Sequence, residues 1–442
     1  MPAIERVIPN RQGAQAPCFF PKAIFMKNLL YAQSGGVTAV INASAAAVIE
    51  TARASGQVGR VLAARHGIVG LLGEDLYDTS GLSAEDLSLL ARTPGGAFGS
   101  SRLDLDEPVE NPPQYERLFE VLAAHDIGWL LYNGGNGSMY TVAQMAREAE
   151  LRGYPLKVVG VPKTVDNDIE GTDCCPGFGS AAKYLATSML EAGLDLRAMA
   201  SRVGRVFVME SMGRNAGWLA AASALARRRE DDPPHIVLLP EVPVKREALL
   251  AEVKRVVERI GFCALTVSEG VCWEDGSRVM EQHVDAQGYV QLGGAGQAIA
   301  RVLSESLGYK QHTAVPDYFQ RAAGHLLSAT DFAQARAVGE AAVRYALEGR
   351  NGVLPAIRRL SDAPYRWDLV PLAASEVGNL ERRVPAHFIR EDGLHVTPAA
   401  VEYLRPLIEG EVPCAYEGGL PPWHSFDFPL LPRKLPPFKP TV

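Results

Sequence analysis

The chain has 442 residues, 21% of them charged and 47% hydrophobic, with a formal net charge of -7. That is the make-up of a globular protein with room for two or three domains, and its acidic balance argues against a general nucleic-acid binder. No apolar run reaches the ~18 residues of a membrane helix, so no membrane role is expected. The six cysteines contain no Cys-x-x-Cys and none lies at zinc-finger spacing from a histidine, so neither a disulfide framework nor a structural zinc is expected. This usage fits a reducing cytoplasm.

Residues 1–25 lack the basic-then-apolar order of a secretory signal and precede Met26 and the first good strand. They are read as an N-terminal extension, disordered and outside the fold. Asn28 to Gln33 then predicts a buried strand, followed by Ser34-Gly35-Gly36-Val37-Thr38 and a helical stretch from Ala39 to Arg53, with Thr38 as its N-cap. Strand, Gly-Gly turn and helix bring bare backbone N–H groups and a helix N-terminus up to an anion. Taken alone, the pair of glycines reads sooner as an ordinary tight turn. A second strand is expected at Arg60 to Arg65 and a short helix from Ser83. Gly95 to Arg102 forms a second Gly/Ser-rich loop, ending in a cation that suits phosphate.

The pattern repeats. Tyr115 to Ala124 is amphipathic, and Ile127 to Tyr132 reads as a strand. Asn133-Gly134-Gly135-Asn136-Gly137-Ser138 supplies a compact nest of donors before a helix from Met139 to Leu151. A strand over Leu156 to Val161 opens into Pro162-Lys163-Thr164-Val165-Asp166-Asn167-Asp168, which packs a cation, a hydroxyl and two carboxylates at a strand's carboxyl end. Further helices are expected at Ser180 to Leu194, Trp218 to Arg228, Arg246 to Ile260, Gly293 to Leu307 and Ala333 to Glu348. Further strands are expected at Arg205 to Met209, His235 to Leu239, Cys263 to Val267 and Thr313 to Val315. Strands largely alternating with helices imply an α/β protein with mostly parallel sheets. Beyond 350 the periodicity weakens, apart from a helix at Pro398 to Ile408 behind Thr397. The Pro-rich segment from Pro421 reads as an extended strap.

Four Gly-rich or polar loops thus fall at strand ends. Arg102, Lys163, Arg205, Arg214 and Arg321 supply cations, and Asp166, Asp168 and Glu269 supply carboxylates. The inventory fits phosphoryl transfer to a phosphorylated sugar, in which cations hold phosphates and an Asp takes a hydroxyl proton.

The segments SGGVTAVINAS, GGAFGSSR, GGNGS, PKTVDND, MGRNAGW, SEG and YFQR, in this order, resemble the 6-phosphofructokinase family from about Met26 to Gly349. The resemblance implies two similar Rossmann-like domains with the active site between them. It places a donor-binding domain at 26–175, completed by part of 320–370, and a sugar-phosphate domain at 176–319. A C-terminal extension covers 371–442. It makes Asp166 the base that activates the sugar 1-hydroxyl, with Lys163 and Arg102 beside it as catalytic cations. Gly36, Gly135, Asn136, Gly137, Ser138 and Lys163 would bind the donor. Thr164, Arg205, Met212, Gly213, Arg214, Glu269, Tyr318 and Arg321 would bind the sugar phosphate together with Asp166. Asn136 and Asp168 would face Mg²⁺. Arg205 corresponds to an Arg that reaches into a neighbouring subunit's site, so a homodimer or homotetramer is implied.

The sequence departs from the family pattern in three ways. Asn136 stands where the family usually has Asp, which makes Asp168 the stronger metal candidate. Lys163 is the residue of pyrophosphate users, whereas Gly137 leaves room for a nucleotide. Ala46 and Glu50 replace two arginines of an effector site, so regulation by nucleotide or phosphoenolpyruvate there is expected to be weak or absent. Pyrophosphate has no nucleoside to anchor it, so its binding must come from charge, and Lys163 is given the greater weight. The expected reaction is reversible transfer from pyrophosphate to fructose 6-phosphate. The alternatives are ATP as the donor, or a non-catalytic sugar-phosphate-binding subunit.

Overall fold

The computed structural model describes residues 26–200, 204–280, 283–284, 290–291, 293–423 and 425–438, and the expected N-terminal extension lies outside them. In chain order the strands are β1 (Asn28–Gln33), β2 (Val61–Ala64), β3 (Leu76–Asp78), β4 (Ile127–Gly134), β5 (Lys157–Pro162), β6 (Arg205–Ser211), β7 (Ile236–Leu238), β8 (Phe262–Ser268), β9 (His283–Val284), β10 (Val290–Gln291), β11 (Lys310–Ala314), β12 (Val353–Asp362) and β13 (Tyr365–Ala373). A seven-stranded sheet runs in the order β13-β12-β5-β4-β1-β2-β3, parallel from β12 to β2 with antiparallel edges. A four-stranded parallel sheet runs β11-β6-β8-β7. The fold is α/β, two Rossmann-like units with mostly parallel sheets.

All six residues of β1 and all seven of β8 are buried, as expected for parallel strands covered by helices on both faces. Small residues set the closeness of those covers. The helix Ile41–Ala54 is alanine-rich and lies so near the helix Ala329–Leu347 that a Cβ on Gly339 would stand 2.6 Å from the Ser44 carbonyl oxygen. Ser44 Oγ donates to the Ala335 carbonyl across the seam at 2.7 Å. Among the described residues, no helix is long and apolar enough to cross a membrane.

Several local expectations shift. The helix after β4 starts at Asn136, not Met139, so the end of the Gly-rich loop is already the first helical turn. Thr38 does not cap; the cap position is Val40, and Thr38 Oγ1 is buried without a partner. The helix at Trp218 gives way to a 3-10 turn after Ala222. The hairpin β12–β13 was not expected. It lies at the sheet edge, β13 is only half-buried, and Arg358, Arg359, Arg366 and Asp368 blur its alternation. The described residues of the Pro-rich segment run along the edge strand β3. Leu431 and Pro429 pair with Leu76 and Asp78 of β3, and Phe428 packs on Phe98 with ring centroids 4.7 Å apart.

Asp331 ties the helix Phe178–Ala198 to the helix Ala329–Leu347. Its buried carboxylate accepts from Gly177 N at 2.8 Å, Ser180 N at 2.9 Å and Ser180 Oγ at 2.6 Å. Asp331→Ala strands these donors in the interior and should cost about 3 kcal/mol of stability in denaturant unfolding. A loss below about 0.5 kcal/mol would remove Asp331 as the tie.

Candidate active site

The carboxyl ends of β1, β4 and β5 in one sheet face those of β6 and β8 in the other, the position where open α/β sheets take ligands. At β1, the turn Ser34-Gly35-Gly36 is zipped to the loop ending in Arg102. Gly35 N donates to the Ser101 carbonyl at 2.8 Å and Ser100 Oγ to the Gly35 carbonyl at 2.7 Å. At β4, Gly134 must lack a side chain, because a Cβ would meet Ser138 Oγ at 1.9 Å. Gly135, Asn136, Gly137 and Ser138 then form the N-terminus of the helix Asn136–Leu151, where free N–H groups and the helix dipole favour an anion.

Lys163 follows β5 and is buried. Its Nζ donates to the Ser34 carbonyl at 2.8 Å and the Gly36 carbonyl at 2.6 Å. An ammonium has three N–H bonds, so one remains for a ligand oxygen. Burial, with Arg321 nearby, lowers its pKa to about 8, while Asp166 and Asp168 pull the other way. Thr164 Oγ1 accepts from Asp166 N at 3.1 Å and turns the chain back into the cleft. Burial pushes the Asp166 carboxyl up to about 7, helped by Asp168 and Glu269 and opposed by Lys163 and Arg214. Burial also raises Asp168. Two carboxyls so close resist joint ionisation.

From the second sheet, Gly213 N donates to Glu269 Oε1 at 3.3 Å, Ser268 Oγ to the Gly213 carbonyl at 2.5 Å, and Met212 N to Gln320 Oε1 at 3.2 Å. These bonds hold Met212, Gly213 and Arg214 in a fixed turn beside Glu269. Burial raises the Glu269 carboxyl. The Arg321 guanidinium stacks on the exposed Tyr318 ring at 4.2 Å. Arg321 also reaches the first sheet: a Cβ on Gly36 would lie 2.7 Å from Arg321 Nη1 and 3.9 Å from Arg102 Nη2. Arg102, Lys163 and Arg321 therefore ring Gly36, with Asp166 and Asp168 near enough to Lys163 to favour its charge.

Arg205 is the exception. It begins β6, whereas Met212 follows its end; seven strand residues separate the two ends by roughly 20 Å. Its Nε donates to the Met199 carbonyl at 2.9 Å, so it stands away from its own chain's cleft. Glu50, at the expected effector position, pairs with Arg336 at 2.6 Å, and Ala46 is buried.

Among the described residues, no group of three or more His, Cys, Asp or Glu could hold a metal. The fit to Mg²⁺ rests on one atom: Asp168 Oδ1 is buried and has no partner. Asn136 Nδ2 donates to the other carboxylate oxygen at 3.1 Å, and Asn136 Oδ1 accepts from Gly137 N at 2.7 Å. The amide nitrogen thus backs the carboxylate. One carboxylate suits Mg²⁺ that takes its other ligands from phosphate and water.

Sequence reasoning missed Gln320, legible only as a member of YFQR, and Glu381, whose Oε1 accepts from Asn215 Nδ2 at 2.6 Å. Glu381 comes from the stretch beyond 350 that has no clear periodicity.

The phosphofructokinase family model matches residues 28–346. The chain is 52% identical to the pyrophosphate–fructose 6-phosphate 1-phosphotransferase of Xanthomonas campestris pv. campestris strain B100, over 92% of this chain and 98% of that one. It is 50% identical to the protein of the same name from Halomonas elongata, over 93% and 99%. Its structure is similar to the crystal structure of the pyrophosphate-dependent phosphofructokinase of Nitrosospira multiformis, with TM-score 0.86 and 47% identity, covering 93% of this chain and 100% of that one.

The raised Asp166 carboxyl is open to direct observation. Infrared spectra of the unliganded protein should show a protonated-carboxyl band at pH 6 that fades as pH rises through about 7, and Asp166→Asn should remove it. An unchanged spectrum in the variant would place that proton elsewhere.

Proposed function

The chain belongs to the phosphofructokinase family, and we propose that it transfers a phosphoryl group reversibly from pyrophosphate to the 1-hydroxyl of fructose 6-phosphate. The observation that carries this reading is the buried ammonium of Lys163, two of its N–H bonds held by the carbonyls of Ser34 and Gly36 and the third free, beside Asp166. A donor with no nucleoside must be held by charge, and a partly desolvated cation supplies it. The names of the relatives at 50% and 52% identity support the same donor.

In this reading the sugar phosphate is held by Met212, Gly213, Arg214, Glu269, Tyr318 and Arg321. Pyrophosphate lies over Gly36 and the N-terminus at Gly135 to Ser138, against Lys163 and Arg102. The sugar 1-hydroxyl oxygen forms a bond to phosphorus as its proton passes to Asp166. The bridging P–O bond breaks, and its electron pair leaves with inorganic phosphate. The raised pKa of Asp166 makes it an effective base near neutral pH and lets it return the proton in the reverse direction. Arg102 and Arg321 neutralise charge on the transferring group, and Thr164 holds Asp166 in place. Asp168, backed by Asn136, would hold Mg²⁺, which supplies charge neutralisation across the two phosphates.

Arg205 has no role in its own chain's cleft, and we assign it to the cleft of a second copy. Support comes from β11, an edge strand paired to β6 with Lys310, Gln311, His312 and Thr313 all exposed; such an edge is usually covered. A homodimer or homotetramer follows. The buried free thiols of Cys174, Cys175 and Cys263 fit the cytoplasm, the compartment we assign.

Purified protein with fructose 6-phosphate and Mg²⁺ should form the bisphosphate with pyrophosphate and at most a trace with ATP. Asp166→Ala should lower kcat by about 10³-fold or more without altering the melting temperature markedly. Turnover with ATP alone would reverse the donor assignment, and a loss under about tenfold in the variant would remove Asp166 as the base.

A further inference from the structure

Residues 378–382 stand against the donor side of the cleft, yet they lie outside the matched region 28–346. They follow the short helix Ala374–Val377 and cross the first turn of the helix Asn136–Leu151. Gly378 packs so tightly there that a Cβ would stand 2.8 Å from Tyr140 Cα. Asn379 N donates to the Asn136 carbonyl and Asn136 Nδ2 to the Leu380 carbonyl, each at 3.4 Å. Arg382 N donates to the Asp168 carbonyl at 2.9 Å, and Glu381 bridges to Ile169. The second sheet's side also grips the segment. Trp218 Nε1 donates to the Arg382 carbonyl at 3.0 Å, the Arg382 guanidinium lies over the Trp218 ring at 4.4 Å, and Asn215 binds Glu381. The segment is anchored to both halves of the cleft.

Its placement bears on Gly137. A Cβ there would lie 3.8 Å from Asn379 Oδ1 and 3.8 Å from Asp104 Oδ1. Two exposed side chains, one amide and one carboxylate, therefore border the face of Gly137 that carries no side chain of its own. The Gly137 N–H is taken by Asn136 Oδ1.

We propose that residues 378–382, with Asn379 at their tip and Asp104 facing it, form a wall that ends the donor pocket after two phosphates and so excludes nucleoside triphosphates. This rests on the transfer axis and the donor proposed above. A donor with its terminal phosphorus at Asp166 and its second phosphate at Lys163 fits short of the wall. A third phosphate and a ribose must continue over the helix terminus past Gly137. There they meet the Asn379 amide and the Asp104 carboxylate, which repels a further phosphate. The wall adds exclusion of the nucleotide to the attraction by Lys163 in a chain whose Gly137 is small: the filling group comes from another part of the sequence.

The test uses the full-length enzyme and Mg·ATP, both as donor and as a competitor of pyrophosphate. Asn379 has φ 61°, a conformation glycine adopts freely, so Asn379→Gly removes the side chain without backbone strain. In the double variant with Asp104→Ala, the inhibition constant of ATP should fall by about tenfold or more, while kcat/KM for pyrophosphate stays within about threefold. Asn379→Asp adds charge at constant size and should raise that constant by about threefold or more. An inhibition constant that moves in neither variant overturns the wall while the pyrophosphate reading stands. A wild-type enzyme that turns over ATP as readily as pyrophosphate overturns both, and is seen before any variant is made.

Discussion

A buried ammonium cannot be left unpaired, and the cleft is arranged around that constraint. Lys163 is placed by β5, but its charge is met by carbonyls of the turn after β1. Those carbonyls converge only because Gly35 and Gly36 turn the chain there and because the loop ending in Arg102 is hydrogen-bonded to the turn. Three segments distant in sequence are thereby joined, two by the Lys163 side chain and the third by hydrogen bonds to the same turn. Each of them also presents something to an anion: a bare glycine backbone, a guanidinium or a free ammonium proton. The packing solution and the binding site are the same set of atoms.

The rest of the cleft is a balance of charges in a partly dry space. Arg102, Lys163 and Arg321 share it with Asp166, Asp168 and Glu269. Burial alone would discharge most of them, lowering Lys163 and raising all three carboxyls. Each sign restrains the other. In the proposed reaction, substrates that carry phosphates and a divalent cation would complete this balance, so that binding and preparation of the base would be one event. A carboxyl pushed up to about 7 would let Asp166 accept the proton in one direction of that reaction and return it in the other, as a reversible transfer requires.

Much of this was legible in the sequence, for reasons that can be traced to particular elements. β1, β4, β5, β6 and β8 are buried on both faces, so they read as short apolar runs, and the polar residues that follow mark their carboxyl ends. The short helix expected from Ser83 starts there, and Ser83 and Asp86 form a capping box. Where signals are non-local, the reading stopped. β12 and β13 form an edge hairpin whose charges hide its alternation. The hydrogen bonds of Asn136 to Asp168 and to Gly137 N are set by neighbouring backbone, which composition cannot reveal. Residues 378–382 carry no motif at all; they matter through what they lie against. Arg205, by contrast, was singled out by its distance from Met212 in the chain, and the strand that separates them places it outside its own cleft.

The central claim is that the Lys163 charge selects a donor with no nucleoside. The most direct measurement is kcat/KM for pyrophosphate in Lys163→Gly, with KM for fructose 6-phosphate taken alongside. Loss of one desolvated charge contact is worth about 3 kcal/mol, so kcat/KM should fall by about 100-fold or more while the sugar-phosphate KM moves less than about threefold. A variant that uses pyrophosphate as well as the natural enzyme would contradict the account.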